Sequence, residues 1–205
     1  MTTMPAVFFG HGSPMNALES NRYSEAWRRF GASVPRPRAI VVVSAHWMVP
    51  FTAVTAMPWP RTIHDFFGFP EALFEVQYPA PGDPELAAEL REIARPTRVG
   101  LDRDMWGIDH GTWSVLVHAF PQADIPVLQL AIDSRTDFEH HVELGARRLC
   151  TTLPLPTRRT PRSRSGASRA PSSTWCAKSA RESMASCSTG MSASGKACTS
   201  TDQVP

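Results

Sequence analysis

Two histidines stand in matching surroundings near the start of this 205-residue chain: His11 in "FFGHGSPM" and His46 in "IVVVSAHWM". Each follows an apolar run, which places it at the carboxyl end of a predicted parallel strand, the edge where open α/β sheets bind ligands. Imidazole suits iron, zinc, copper or nickel, so two of them at one edge can share an ion. Glycines on both sides of His11 allow backbone and ligand to approach closely. For either histidine alone, a hydrogen bond to a loop is an equally good account; two in equivalent positions favour a site.

His110, in "GIDHGTW", stands at a predicted helix start, where an imidazole can act as general acid or base near working pH or simply cap the helix. His64 and Asp65, in "RTIHDFFGFP", sit among three phenylalanines, and either line an aromatic pocket or close their loop. His110 ranks above His64 as a functional candidate. His118, His140 and His141 fall within predicted helices and are assigned no chemistry. Ser13 is no nucleophile elbow, because Pro14 follows it directly. Gly10 and Gly12 do not extend to a dinucleotide or phosphate-loop fingerprint.

The elements that must position these groups alternate. "AVFFG" reads as a short buried strand ended by glycine, "NRYSEAWRRFGAS" as a helix closed by Gly31, and "RAIVVVSAHW" as a second strand, giving β-α-β. Four β-branched residues in a row, Ile40 to Val43, predict a parallel strand covered on both faces. "DPELAAELREIARP" is the clearest helix, with Asp83 as N-cap, Pro84 in the first turn and Pro96 as stop. "GTWSVLVHAF" reads as helix, "IPVLQLAID" as a third buried strand, and "TDFEHHVELGARRL" as a helix with Thr136 or Asp137 at its cap. The stretch from Trp47 to Gly82, with six prolines, reads as a long loop serving a pocket. The class is α/β.

Composition breaks sharply near Cys150. All ten Phe and all seven His precede it, and residues 151–205 hold no Phe, Ile, Tyr or His. That tail carries six Arg and two Lys against Glu182 and Asp202, a net of +6, so the chain's +2 leaves −4 for residues 1–150. Its Ser, Thr, Arg and Pro cannot bury enough apolar area to offset ordering, which predicts a disordered basic tail over 150–205. With one aromatic residue, Trp175, and no folded module around its arginines, it is not expected to bind nucleic acid. Cys150, Cys176, Cys187 and Cys198 lack metal-ribbon spacing. No apolar run approaches the roughly 20 residues of a membrane span, so a cytoplasmic protein with no membrane partner is the default expectation.

Together "FFGHGSPMNALE", "PRAIVVVSAHW", "TIHDFFGFP", "YPAPGDPELA", "WGIDHGTWSVL" and "DIPVLQLAID" closely resemble the 4,5-DOPA dioxygenase type of class III extradiol ring-cleavage dioxygenase, in the family's order and spacing. The likeness runs from about Met4 to about Leu149. It implies a three-layer α/β fold, an open and mostly parallel sheet with helices on both faces. It also implies one divalent ion, Zn(II) or Fe(II), bound by His11 and His46. His110 would then lie in the substrate pocket as the catalytic residue, with His64 and Asp65 as pocket residues without a metal bond. The implied partners are a small aromatic diol, DOPA-like, and O₂.

After about residue 149 the likeness stops. The family continues with an "NVVHN"-like and a "HYLP"-like segment that supply further histidines, and this chain has none beyond His141. Residues 1–149 thus read as the N-terminal part of the catalytic domain, with its C-terminal part missing. A reading-frame change is one explanation for the break. Two imidazoles hold an ion more loosely than three, and a sheet without its later strands leaves an apolar edge. Weak metal binding, poor solubility and little activity are expected, and a non-catalytic α/β remnant is the alternative reading.

Overall fold

A computed structural model describes residues 4–146. The expectation of a disordered tail over 150–205 lies outside the described residues. The elements run α1 (Arg22–Ser33), β1 (Ile40–Val49), β2 (Ala53–Thr55), α2 (Glu71–Phe74), α3 (Pro84–Ile93), β3 (Gly100–Asp102), α4 (His110–Ala119), β4 (Val127–Asp133) and α5 (Phe138–Ala146), with a short 3₁₀ turn at Pro14–Ala17 before α1. One four-stranded sheet has the order β1-β4-β2-β3. β1 pairs parallel with β4 and β2 parallel with β3, while β2 meets β4 antiparallel through Val54 and Leu130.

Alternation along β4 builds the three layers, because successive strand residues point to opposite faces. Val127 joins Trp113 and Leu116 of α4 in one apolar cluster. Leu128 and Leu130 join Leu86 and Leu90 of α3 and Leu144 of α5 in another. Each fully buried leucine of this kind contributes roughly 1.5–3 kcal/mol. α3 forms as its sequence dictates: Asp83 accepts from Leu86 N at 2.9 Å and Pro84 opens the first turn. Asp137 likewise caps α5, accepting from His140 N at 2.9 Å.

Several expectations are overturned. "AVFFG" forms no strand, so the β-α-β opening is absent among the described residues. The segment pairs with neither edge strand of the sheet; Phe9 instead packs edge-on to Phe30 near Trp27 and Val115, leaving Phe8 94% exposed. β1 is parallel but, among the described residues, covered on one face only. Ile40 and Val42 turn toward α4, whereas Val41 and Val43 are exposed. Gly31 does not end α1, which continues to Ser33; a Cβ there would strike the carbonyl oxygen of Ala119, so the glycine lets α1 cross α4 closely. The proline-rich stretch is not all loop, for it holds the end of β1, the wholly buried β2 and the single turn of α2.

β1 also carries an irregularity. Val43 pairs with Leu130 and Met48 with Ile132, so five steps along β1 match two along β4. The surplus residues lie within Ser44–Trp47, a bulge of the kind that re-aims side chains. His46 therefore leaves the strand from this bulge rather than from the carboxyl end that the sequence predicts.

Candidate metal centre

His110 owes its place to the start of α4. Asp109 caps the helix, its Oδ1 accepting from Thr112 N at 3.1 Å. His110 is then the first helical residue, its side chain only 7% exposed. Its backbone N–H and its Nδ1 both reach Asp65 Oδ1, at 3.0 and 2.8 Å. Burial pushes the Asp65 carboxyl up, but the hydrogen bonds from the His110 side chain and backbone outweigh it and hold the group below its usual range. An ionised carboxylate only accepts, so Nδ1 of His110 carries the proton and Nε2 keeps a free lone pair.

His46 is fixed from below. Ser44 Oγ accepts from His46 N at 3.2 Å and donates to Asp109 Oδ1 at 3.0 Å, which ties the bulge to the α4 cap. Asp65 Oδ2 lies 3.8 Å from His46 Nδ1. The ring crosses the first turn of α4 at Gly111, where a Cβ would come within 2.6 Å of His46 Cδ2.

His11 arrives on irregular chain. Gly12 has φ +63°, a left-handed conformation that turns the backbone into Pro14–Ala17. By contrast, Gly10 has open space around it. Asn16 secures the turn, donating to His11 O at 3.0 Å while its own carbonyl accepts from His118 Nε2 at 2.8 Å.

These three routes converge. His11 Nε2 and His46 Nε2 are 2.9 Å apart, and ligand nitrogens of His11, His46 and His110 all lie within 4.8 Å of one another. Two ring nitrogens that close need a proton or a cation between them. Nitrogens bound at about 2.0–2.1 Å to one zinc ion stand roughly 3 Å apart, so the donor set fits a metal. Burial, then repulsion from His110 and His46, lowers the His11 pKa, keeping it in the neutral form a metal requires.

An aromatic wall adjoins the cluster. Phe66 meets the His110 ring edge-on at 5.4 Å and also contacts Phe69, Phe74 and Trp113. His64 stands behind it, donating Nε2–H to Val76 O at 2.9 Å and packing on Phe74 and Trp113. The structure thus brings Asp65 to the histidines and leaves His64 outside the cluster, closing its loop.

Sequence reasoning passes over Ser44, Asp109, Gly111 and Gln129. Gln129 offered a signal, being the one polar residue in the apolar run "IPVLQLAI". It is fully buried and donates Nε2–H to Asp109 Oδ2, with its Oε1 accepting from Asp109 N at 3.3 Å and Thr112 Oγ1 at 3.0 Å.

The comparisons agree with this geometry. Residues 5–148 match the family described as the catalytic LigB subunit of aromatic ring-opening dioxygenase. A 4,5-DOPA dioxygenase extradiol of Escherichia coli (strain K12) is 56% identical over 144 residues, 70% of this chain and 53% of that protein. The Beta vulgaris 4,5-DOPA dioxygenase extradiol is 40% identical over 145 residues, 67% of this chain and 53% of that one. A crystal structure of an uncharacterized Escherichia coli K12 protein aligns with TM-score 0.55 at 47% identity, covering 66% of this chain and 50% of that one. The chain therefore spans about half the length of the curated relatives it matches. Family model, relatives and fold all point the same way, and the chain belongs to the LigB family of aromatic ring-opening dioxygenase catalytic subunits.

Proposed function

We infer that residues 1–149 form the metal-binding half of an extradiol dioxygenase catalytic domain, acting on a small DOPA-like aromatic diol and O₂ in the cytoplasm. The convergence of His11, His46 and His110 within 4.8 Å, in a chain with DOPA dioxygenase relatives, carries this reading. In this reading His11 and His46 hold one divalent ion, Zn(II) or Fe(II). Bound there, such an ion supplies a positive centre for the two adjacent diol oxygens and, as iron, a route for electrons from ring to O₂. His110 does the proton work. Its Nε2, freed by the Nδ1 bond to Asp65, takes the proton of a substrate hydroxyl and returns it as the ring opens. Phe66, backed by His64, offers an aromatic face against which the ring orients.

One observation favours a variant of this site. His110 lies in the same donor group as the other two, so it serves as third ligand where the family's later histidines are absent from the sequence. Loading with Zn(II) or Fe(II), dialysis and metal analysis separate the roles. Wild type is expected to retain stoichiometric metal, and His11→Ala and His46→Ala to lose it. His110→Ala that keeps the metal but loses catechol-dependent O₂ uptake identifies the proton carrier, whereas loss of the metal identifies the ligand. The exposed flank of β1 at Val41 and Val43 favours the non-catalytic remnant instead, and no bound metal in wild type would sink the enzyme reading.

A further inference from the structure

Asp109 has more hydrogen bonds than a helix cap needs. A serine or asparagine would satisfy Thr112 N equally well, yet here a carboxylate with 0% exposure is surrounded by donors from three elements. Thr112 N and Ser44 Oγ reach its Oδ1 at 3.1 and 3.0 Å, and Gln129 Nε2 reaches its Oδ2. Gln129 is itself oriented from behind, because its Oε1 is occupied by Asp109 N and Thr112 Oγ1 and its backbone N–H donates to Thr55 Oγ1 at 2.8 Å. Thr112 N and the Gln129 amide can only donate to it, the hydrogen-bond pattern that a carboxylate accepts.

A buried anion is costly unless something positive offsets it. The donors described above are a backbone amide, a hydroxyl and a side-chain amide, none of them charged, and the positive end of α4 covers part of the charge. The histidine cluster also lies within its field, which reaches His11. Three neutral imidazoles around a divalent ion carry two positive charges. Asp65 and Asp109 carry two negative ones, and neither is needed as a ligand.

We propose that Asp109 is a positioning residue and buried countercharge for a cation held by His11, His46 and His110, acting without a bond to it. Its charge lowers the energy of the ion and carries most of the effect; its link to Ser44, at the β1 bulge that bears His46, carries the lesser part. The proposal rests on the metal reading above. It differs in what it predicts, since the charge can be moved while the hydrogen bonds are kept.

The test is Zn(II) affinity, measured by competition with a chelating dye on folded apoprotein, with thermal unfolding recorded alongside. Asp109→Asn is expected to weaken zinc binding by about 10–100-fold, the range for outer partners of metal ligands. In Asp109→Asn/Gln129→Glu the amide donates to the new carboxylate, returning the charge to the same hydrogen bond, and affinity is expected within about threefold of wild type. Ser44→Ala keeps the charge and loses both Ser44 hydrogen bonds, the one to Asp109 and the one from His46 N, and is also expected within about threefold. Asp109→Asn binding as wild type does overturns the proposal, as does Ser44→Ala losing as much as Asp109→Asn. If Asp109→Asn does not fold, the double variant decides: restored affinity supports the countercharge and a tenfold or greater loss overturns it. Wild type that binds no zinc overturns the metal reading itself, whereas equal binding by wild type and Asp109→Asn overturns the countercharge alone.

Discussion

His110 and His11 reach the same point from opposite kinds of structure. His110 opens a helix whose cap is buried, and its ring is held by Asp65 and meets Phe66, which packs in turn on Trp113. His11 ends a segment without regular structure, its Nδ1 is buried without a partner, and its neighbour Phe8 faces solvent. The difference follows the sheet. α4 packs on β1 and on Val127 of β4, both hydrogen-bonded into the sheet, whereas residues 4–10 pair with no strand among those described. A site can thus be half rigid and half loosely held when its halves depend on different parts of a fold.

The contrast is broken hardest in the core. Trp113, 0% exposed and donating Nε1–H to Ile63 O at 2.8 Å, supports α4 from beneath. Trp113→Ala is expected to cost about 3–5 kcal/mol by urea denaturation. Phe8→Ser, on the other flank, is expected to change stability by no more than about 0.5 kcal/mol. Comparable losses from both would mean that the His11 segment is as well built as α4.

Asp65→Asn comes next. Removing the charge from the bonds to His110 is expected to cost about 1.5–3 kcal/mol near neutral pH. The folded carboxyl lies below its ordinary value, so its contribution is complete above about pH 3.8 and disappears as pH falls through the folded pKa. An acid titration of stability that keeps this limb in the asparagine variant contradicts the assignment.

Glycine substitutions sharpen the comparison at smaller scale. Gly111→Ala sets a methyl against the His46 ring and is expected to cost about 1–3 kcal/mol, together with metal affinity. Gly10→Ala, in open space, is expected to be nearly silent. The smallest effect is the titration of His11 in the metal-free protein. Its pKa is lowered on folding, so stability is full above about pH 6.5 and declines as pH falls through the folded value. His11→Ala is expected to flatten that part of the pH–stability curve.

The sequence makes α3, α4 and β4 plain, because each is set by local signals: caps, a proline, a continuous apolar run. What it hides depends on neighbours. "AVFFG" has every mark of a strand, yet its Phe9 packs on Phe30 and the segment stays unpaired beside a sheet whose β1 edge is open among the described residues. β2 and β3 are three residues each, too short for periodicity; β2 takes its place from β4 and β3 from β2. His11, His46, His110 and Asp65 are legible as polar exceptions in apolar or glycine-rich surroundings. The bonds joining Asp109 to Gln129 and Ser44 span 20 and 65 residues, distances that no local pattern crosses.

The bulge in β1 has a consequence for how this gene can change length. Strand residues alternate sides, and a surplus of three residues exchanges odd for even: Val43 and Met48, paired with Leu130 and Ile132, share one face. Deleting a single codon within Ser44–Trp47 would set Val43 and Met48 four residues apart, a spacing at which plain alternation already puts both on one face and keeps Val49 beside Ala131. Deleting two would set them three apart, and the end of the strand would keep its face only while an odd bulge persisted. Genes shortened within this span are expected to lack one codon rather than two.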